Sequence, residues 1–374
     1  NMEQSPGRGA MRAPRQESGT DPRQVDCYLA HLSGARCLCS TWVVCGRFLP
    51  AEHAGSLLAG RMRHNVAVNF FVVLSGFVTH WTNASRHLES RAEIWQFYIR
   101  RIAPVVLTTW FAMLLSLPVD VHSGFWHIVR CFLLVDNWHP GSFDWCPNHG
   151  TWTVASLLPC WLLYPLTRRW VATLETHSGA EGLVALAVVL WAVWSVPTLV
   201  LHVSRGGRLP IVYHNVSYHW ACAMIPDFHV GVVAAALARH AASGEEPERE
   251  EGPEACCAAG AAPAPARRPH PRLPFLGTFL VRGGRLADMA AAVVAAAVLL
   301  LPACGQASVG GTGGTADRGG PRQGAEVLFD HGLSLLLAAF LYGSSDGTSA
   351  GRVARLLQHR GVSALGVYSF EVYL

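Results

Sequence analysis

Charge is scarce in this 374-residue chain: 14% of its residues are charged, while 51% are hydrophobic. A soluble domain carries about 25% charged residues, so the composition disfavours a water-soluble globule. The 29 basic residues are arginines, spread over many loops, and the net charge is only +4. That distribution excludes the clustered basic footprint of a nucleic-acid binder.

Metal and redox signatures are also missing. The eleven cysteines form no CxxC pair and no Cys/His spacing of the zinc kind, so no metal is expected. Cys37, Cys39, Cys45, Cys160 and Cys222 lie in apolar stretches, where a thiol acts as a small hydrophobe. Cys131 and Cys146 flank a loop and could pair, but two free thiols are the expectation. Residues 1–25 have no apolar core and are not a signal peptide. The glycine-rich GGTGGT precedes no GK[ST], so it is not a phosphate loop. The last residues, GVYSFEVYL, are an apolar run, which leads us to expect that the natural chain continues.

Apolar runs dominate what is present. A bilayer core takes about 20 apolar residues per helix, with about 17 as the lower limit. Residues 66–82, 102–119, 182–201, 220–237, 289–304 and 327–342 qualify or nearly qualify. Shorter runs lie at 37–49, 125–135, 152–166 and 363–374. Each short run alone would also suit a buried helix of a soluble protein. Their repetition along the chain argues for a membrane, as do Trp42, Trp81, Trp110, Trp152, Trp170 and Trp220 near or within the runs. The predicted fold class is all-α: a polytopic membrane protein, a bundle of about ten transmembrane helices.

Four regions follow. Residues 1–31 are a polar tail, and 32–240 hold the first group of helices. Residues 241–285 are rich in Ala, Pro and Glu and cannot bury enough surface to fold. Residues 286–374 hold the last helices, interrupted by a glycine-rich loop at 305–324. Arg86, Arg91, Arg100 and Arg101 place the loop between the second and third runs in the cytoplasm by the positive-inside rule. Arg168 and Arg169 suggest another cytoplasmic end, which requires one of the preceding short runs not to cross. The expected location is an integral, multi-pass position in a membrane that the sequence does not specify.

The segment LSGARCLCSTWVVCGRF, residues 32–48, resembles the first helix of integral-membrane acyltransferase 3 proteins, typically LDGLRGLAALLVVLGHF. VAVNFFVVLSGFV, residues 66–78, resembles the second-helix signature VxxFFVLSGF, with Phe70, Phe71, Leu74, Ser75, Gly76 and Phe77 in place. FYIRRIAP, FLLVDNWHP, TWTVASLLPCWLLYPL, IPDFHVGVV and LLQHRGVSALGVYSFEVYL follow in the family's order. The chain is thus identified as a divergent member of that family. The resemblance implies transfer of an acyl group, often acetyl, from the co-substrate acyl-CoA to a hydroxyl of a carbohydrate or lipid-linked acceptor. It also implies the lipid bilayer as a partner and no nucleic acid.

The family's first-helix histidine is thought to be the general base, and here its position holds Arg47. Histidine titrates near neutrality, whereas arginine stays protonated to above about pH 12. Arg47 therefore cannot accept a proton, although it could bind an anion. His53 lies beyond Pro50 and off the helix face of Arg47, and His149 lies just before the Trp152 helix; these are the alternative bases. The resemblance assigns the acyl donor to an arginine motif, and guanidinium pairs with phosphate through two parallel hydrogen bonds. Arg100 and Arg101 are the candidates, although Tyr98 occupies the motif's first arginine position.

Ser75 and Gly76 read as small residues that let helices approach closely, since no G-x-S-x-G elbow is present. Phe71 and Trp152 are motif positions, read as substrate-site or structural residues. Asn69, Asp227 and Asp330 are polar groups in or near apolar runs, which mark either a functional interior or interhelical hydrogen bonds. Leu157 and Leu158 replace the glutamates of many relatives. His139 and Asp144 match a His-x-x-x-x-Asp spacing that 18 histidines make nearly certain to arise by chance. Asn83 and Asn215 begin sequons, the first in a loop placed inside and so expected to be silent. Two other readings remain: a family relative that binds an acyl donor or lipid without turnover, and a secondary transporter.

Overall fold

The computed structural model describes residues 22–48, 64–86, 88–118, 124–139, 146–205, 216, 219–244, 283–300, 331–345 and 351–367. These residues are helical or connect helices. We number the helices α1 (Pro22–Phe48), α2 (His64–Asn83), α3 (Arg91–Arg101), α4 (Ala103–Ser116), α5 (Phe125–Phe132), α6 (Trp152–Ser204), α7 (Ala221–Gly244), α8 (Gly284–Leu300), α9 (Ser334–Ser344), α10 (Arg352–Leu357) and α11 (Arg360–Val367). The predicted disordered loop and the glycine-rich loop fall largely outside the described residues.

Local chemistry sets several of these ends. A capping box starts α3: Glu93 N–H donates to Ser90 Oγ at 3.2 Å, and Ser90 N–H donates to Glu93 Oε2 at 2.9 Å. Pro104 lacks the N–H that would continue the α3 ladder, and α4 starts around it. If straight, the 53 residues of α6 would measure about 80 Å, far more than a bilayer core. The helix breaks at Gly179, whose φ of 59° and ψ of −148° suit glycine alone.

The sequence predicts about ten crossings. Among the described residues, three helical stretches are long and apolar enough to cross a membrane: Arg91–Ser116, Trp152–Ser204 and Ala221–Ala242. The run at 125–135 yields only α5, eight residues and about 12 Å of rise, too short for a core about 30 Å thick.

At the centre, α7 packs on α2, α6 and α9. In the span containing α7, 89% of the most apolar window is buried within the protein, against 11% for Arg91–Ser116 and 22% for Trp152–Ser204. The outer spans therefore turn Leu107, Phe111, Leu115, Val200 and Val203 outward, each more than 60% exposed. Such a large apolar exterior suits lipid rather than water. The α2–α7 contact is backbone against backbone. A Cβ on Gly76 would collide with Phe228 O, and one on Gly231 with Val73 O.

Cys131 and Cys146 form a disulfide, which corrects the expectation of two free thiols. Asn137 holds the intervening loop: its Nδ2 donates to Trp152 O, Ser156 Oγ and His219 O. The two Cα atoms lie 5.7 Å apart, within the range a disulfide bridges.

Candidate functional site

The most unusual polar arrangement lies where α2, α3 and α6 meet. Arg101, at the end of α3, donates from Nη2 to Ser75 Oγ at 3.1 Å and to Ser75 O at 3.4 Å. Trp161 of α6 donates from Nε1 to the same hydroxyl at 3.0 Å, and its ring lies 5.6 Å from the guanidinium carbon. Cation–π attraction adds to the hold. Arg101 Nε is buried and has no hydrogen-bond partner among the described residues. No carboxylate among those residues pairs with Arg101. A fixed guanidinium with an unused N–H is suited to receive an anion.

The remaining predicted residues divide clearly. Arg100 is exposed, whereas Arg101 is half-buried on Ser75. Tyr98, at the missing arginine's position, donates its hydroxyl to Leu162 O at 2.9 Å and ties α3 to α6. Asn69 is buried in α2, and Phe71 is half-buried against Phe70. Trp152 is buried with its ring edge-on to His219, centroids 4.6 Å apart. Arg47 lies in α1 and His149 in the 3-10 turn His149–Thr151, but their side chains, like all of His53, Asp144 and Asp330, lie outside the described residues.

A second polar centre links α7 to the start of the α9 segment. His331 Nδ1 is 2.6 Å from Asp227 Oδ2, with both side chains 3% exposed. Trp194 stacks on the imidazole at 6.3 Å, and Trp191 Nε1 donates to Gly332 O at 3.1 Å. The sequence marked Asp227 but did not supply its partner, which comes from a segment 104 residues away. Arg36 and Trp161 were not singled out by the sequence either. Both lie inside family motifs, Arg36 at the arginine of LDGLRGL, and that motif position was the signal for it.

The acyltransferase domain matches residues 29–374. The chain belongs to the acyltransferase 3 family. No curated protein and no solved structure matches it. Acyltransferase 3 membership agrees with the apolar outer faces and marks the molecule as a membrane acyltransferase by family. The acyltransferase 3 motif at residues 66–78 is the inner wall of the bundle, with Val72, Val73, Leu74 and Phe77 at most 1% exposed.

Proposed function

We propose that this protein is a membrane-embedded O-acyltransferase that moves an acyl group, acetyl as the first choice, from acyl-CoA to a hydroxyl of a carbohydrate or lipid-linked acceptor. One observation carries the reading: Arg101, with no carboxylate partner among the described residues, is held by Ser75 and Trp161. Arg101, with Arg36 of α1 as a second cation, would receive the phosphates of coenzyme A.

A topology of about ten crossings would put this site at the cytoplasmic side, where acyl-CoA is available. Arg86, Arg91, Arg100 and Arg101 stay inside, the apolar run at 102–119 crosses, and α5 remains on the far side. The first part of α6 then returns, which brings Arg168 and Arg169 inside and removes the conflict seen in the sequence. On the rise of α1, Arg47 lies about 16 Å beyond Arg36. The donor would enter at Arg101, and its thioester would lie deeper, toward the acceptor side.

In the reaction the acceptor oxygen attacks the thioester carbonyl, loses its proton to a base, and the coenzyme leaves as thiolate. Arg47 cannot take that proton and is assigned to stabilising negative charge on the carbonyl oxygen. His53 and His149 are the candidate bases. The test is transfer from radiolabelled acetyl-CoA in isolated membranes. Arg101→Ala should raise the KM for acyl-CoA about 10- to 100-fold, the size of one or two charge-assisted hydrogen bonds. His149→Ala should lower kcat. A wild type that labels no acceptor, beside an Arg47→His variant that does, would overturn the active reading in favour of a donor-binding relative.

A further inference from the structure

The turn between α5 and α6 gathers donor atoms that acyl transfer does not use. His127 and Cys131 lie one helical turn apart on α5, with His127 Nε2 3.6 Å from Cys131 Sγ. Asp136, which opens the 3-10 turn Asp136–Trp138, is buried. Its Oδ1 is 3.4 Å from His127 Nδ1 and 3.4 Å from Arg130 Nε. Cys146 lies beside them. One ligand atom from each of His127, Cys131, Asp136 and Cys146 lies within 4.8 Å of the other three.

We infer that the dithiol form of this cluster binds a divalent cation of the zinc type, with Cys131 and Cys146 thiolates and His127 Nε2 as ligands and Asp136 as the residue that orients His127. Two thiolates and an imidazole are a recurrent zinc set. A carboxylate on the other ring nitrogen is the usual partner of a metal-bound histidine, because it fixes the tautomer and raises ligand basicity. Here Nε2 faces the sulfur and Nδ1 faces Asp136, which is the arrangement such a site needs. Arg130 is the cation that the described residues place beside the group, and it lies against Asp136, with 41% of its own side chain exposed to solvent.

The disulfide and the metal are alternatives, since each needs both sulfurs. A phosphine reductant gives two electrons to the S–S bond and becomes its oxide with water, leaving two thiols. Cation binding then forms two metal–sulfur bonds and releases both thiol protons. The site is hard to see in the sequence because its ligands have helix-turn and loop spacing rather than CxxC spacing.

The test uses the full chain in detergent, reduced with a water-soluble phosphine and titrated anaerobically with Co2+. The expected result is a thiolate-to-cobalt charge-transfer band saturating at about one ion per chain. The band should be absent from the oxidised protein and from the Cys131→Ser/Cys146→Ser double variant. Asp136→Asn should weaken binding about 10- to 100-fold; unchanged affinity would overturn the role given to Asp136. A measurement without variants guards against misfolding: Zn2+ should slow alkylation of Cys131 and Cys146, read by mass spectrometry. No band, a band that persists in the double variant, or equal alkylation with and without Zn2+ overturns the inference.

Discussion

Arg101 and Asp227 are both ionisable groups inside an apolar bundle, yet the structure treats them oppositely. Asp227 is matched by His331 at 2.6 Å, in surroundings that admit almost no water. Removing one member of such a pair leaves the other buried and uncompensated, which costs about 3–5 kcal/mol. Asp227→Ala should destabilise the protein by that amount in detergent unfolding. Replacing both residues by leucine should cost less than the sum of the single changes, and an additive cycle would show that the pair is not coupled. Arg101 has hydrogen bonds and an aromatic face but no counter-charge among the described residues. That asymmetry is why Arg101, and not Asp227, is the residue we propose for the acyl donor. Leu157 and Leu158 stand where many relatives have glutamates, so the proposed reaction would take its base from outside that motif.

The helices owe their paths to a few positions. Among the described residues, no neighbouring group lies within 4 Å of where a Cβ on Gly179 would stand, so the cost of a side chain there is conformational. Gly179→Ala should lower stability by about 1–3 kcal/mol, and a thermal melt that does not move would show that the break tolerates another backbone. Gly76 is the opposite case: its φ is unexceptional, but its neighbour is the Phe228 carbonyl. Gly76→Leu should force α2 and α7 apart and yield aggregated protein on size exclusion, with no soluble monodisperse peak. Pro159, Pro165 and Pro197 are accommodated inside α6, where prolines in a spanning helix are tolerated because neighbours re-satisfy the freed carbonyls.

For the whole molecule, sidedness and the disulfide bear on each other. Disulfides persist in oxidising compartments, and the proposed topology puts Cys131 and Cys146 opposite the cytoplasm. An impermeant maleimide applied to intact cells should label single cysteines placed at residues 120–124 but not at residues 86–90. The reverse pattern would invert the topology and move Arg101 away from cytosolic acyl-CoA. A bond across 15 residues of sequence constrains the unfolded chain by about 3 kcal/mol. Cys131→Ser/Cys146→Ser should therefore lower the unfolding midpoint of the oxidised protein.

Composition and apolar runs determined the all-α membrane class, because bilayer thickness fixes how long an apolar helix must be. Ordered motifs determined the family, and arginine's chemistry alone removed Arg47 as a base. Other features depended on the fold. Residues 125–135 became a short helix that ends at Phe132, with Leu134 at a φ of 57°, which periodicity does not encode. Cys131 met Cys146, and Asp227 met His331, across separations that only packing closes. Arg100 and Arg101 look alike in sequence, and only the rotation of α3 against α2 and α6 puts one outside and the other on Ser75.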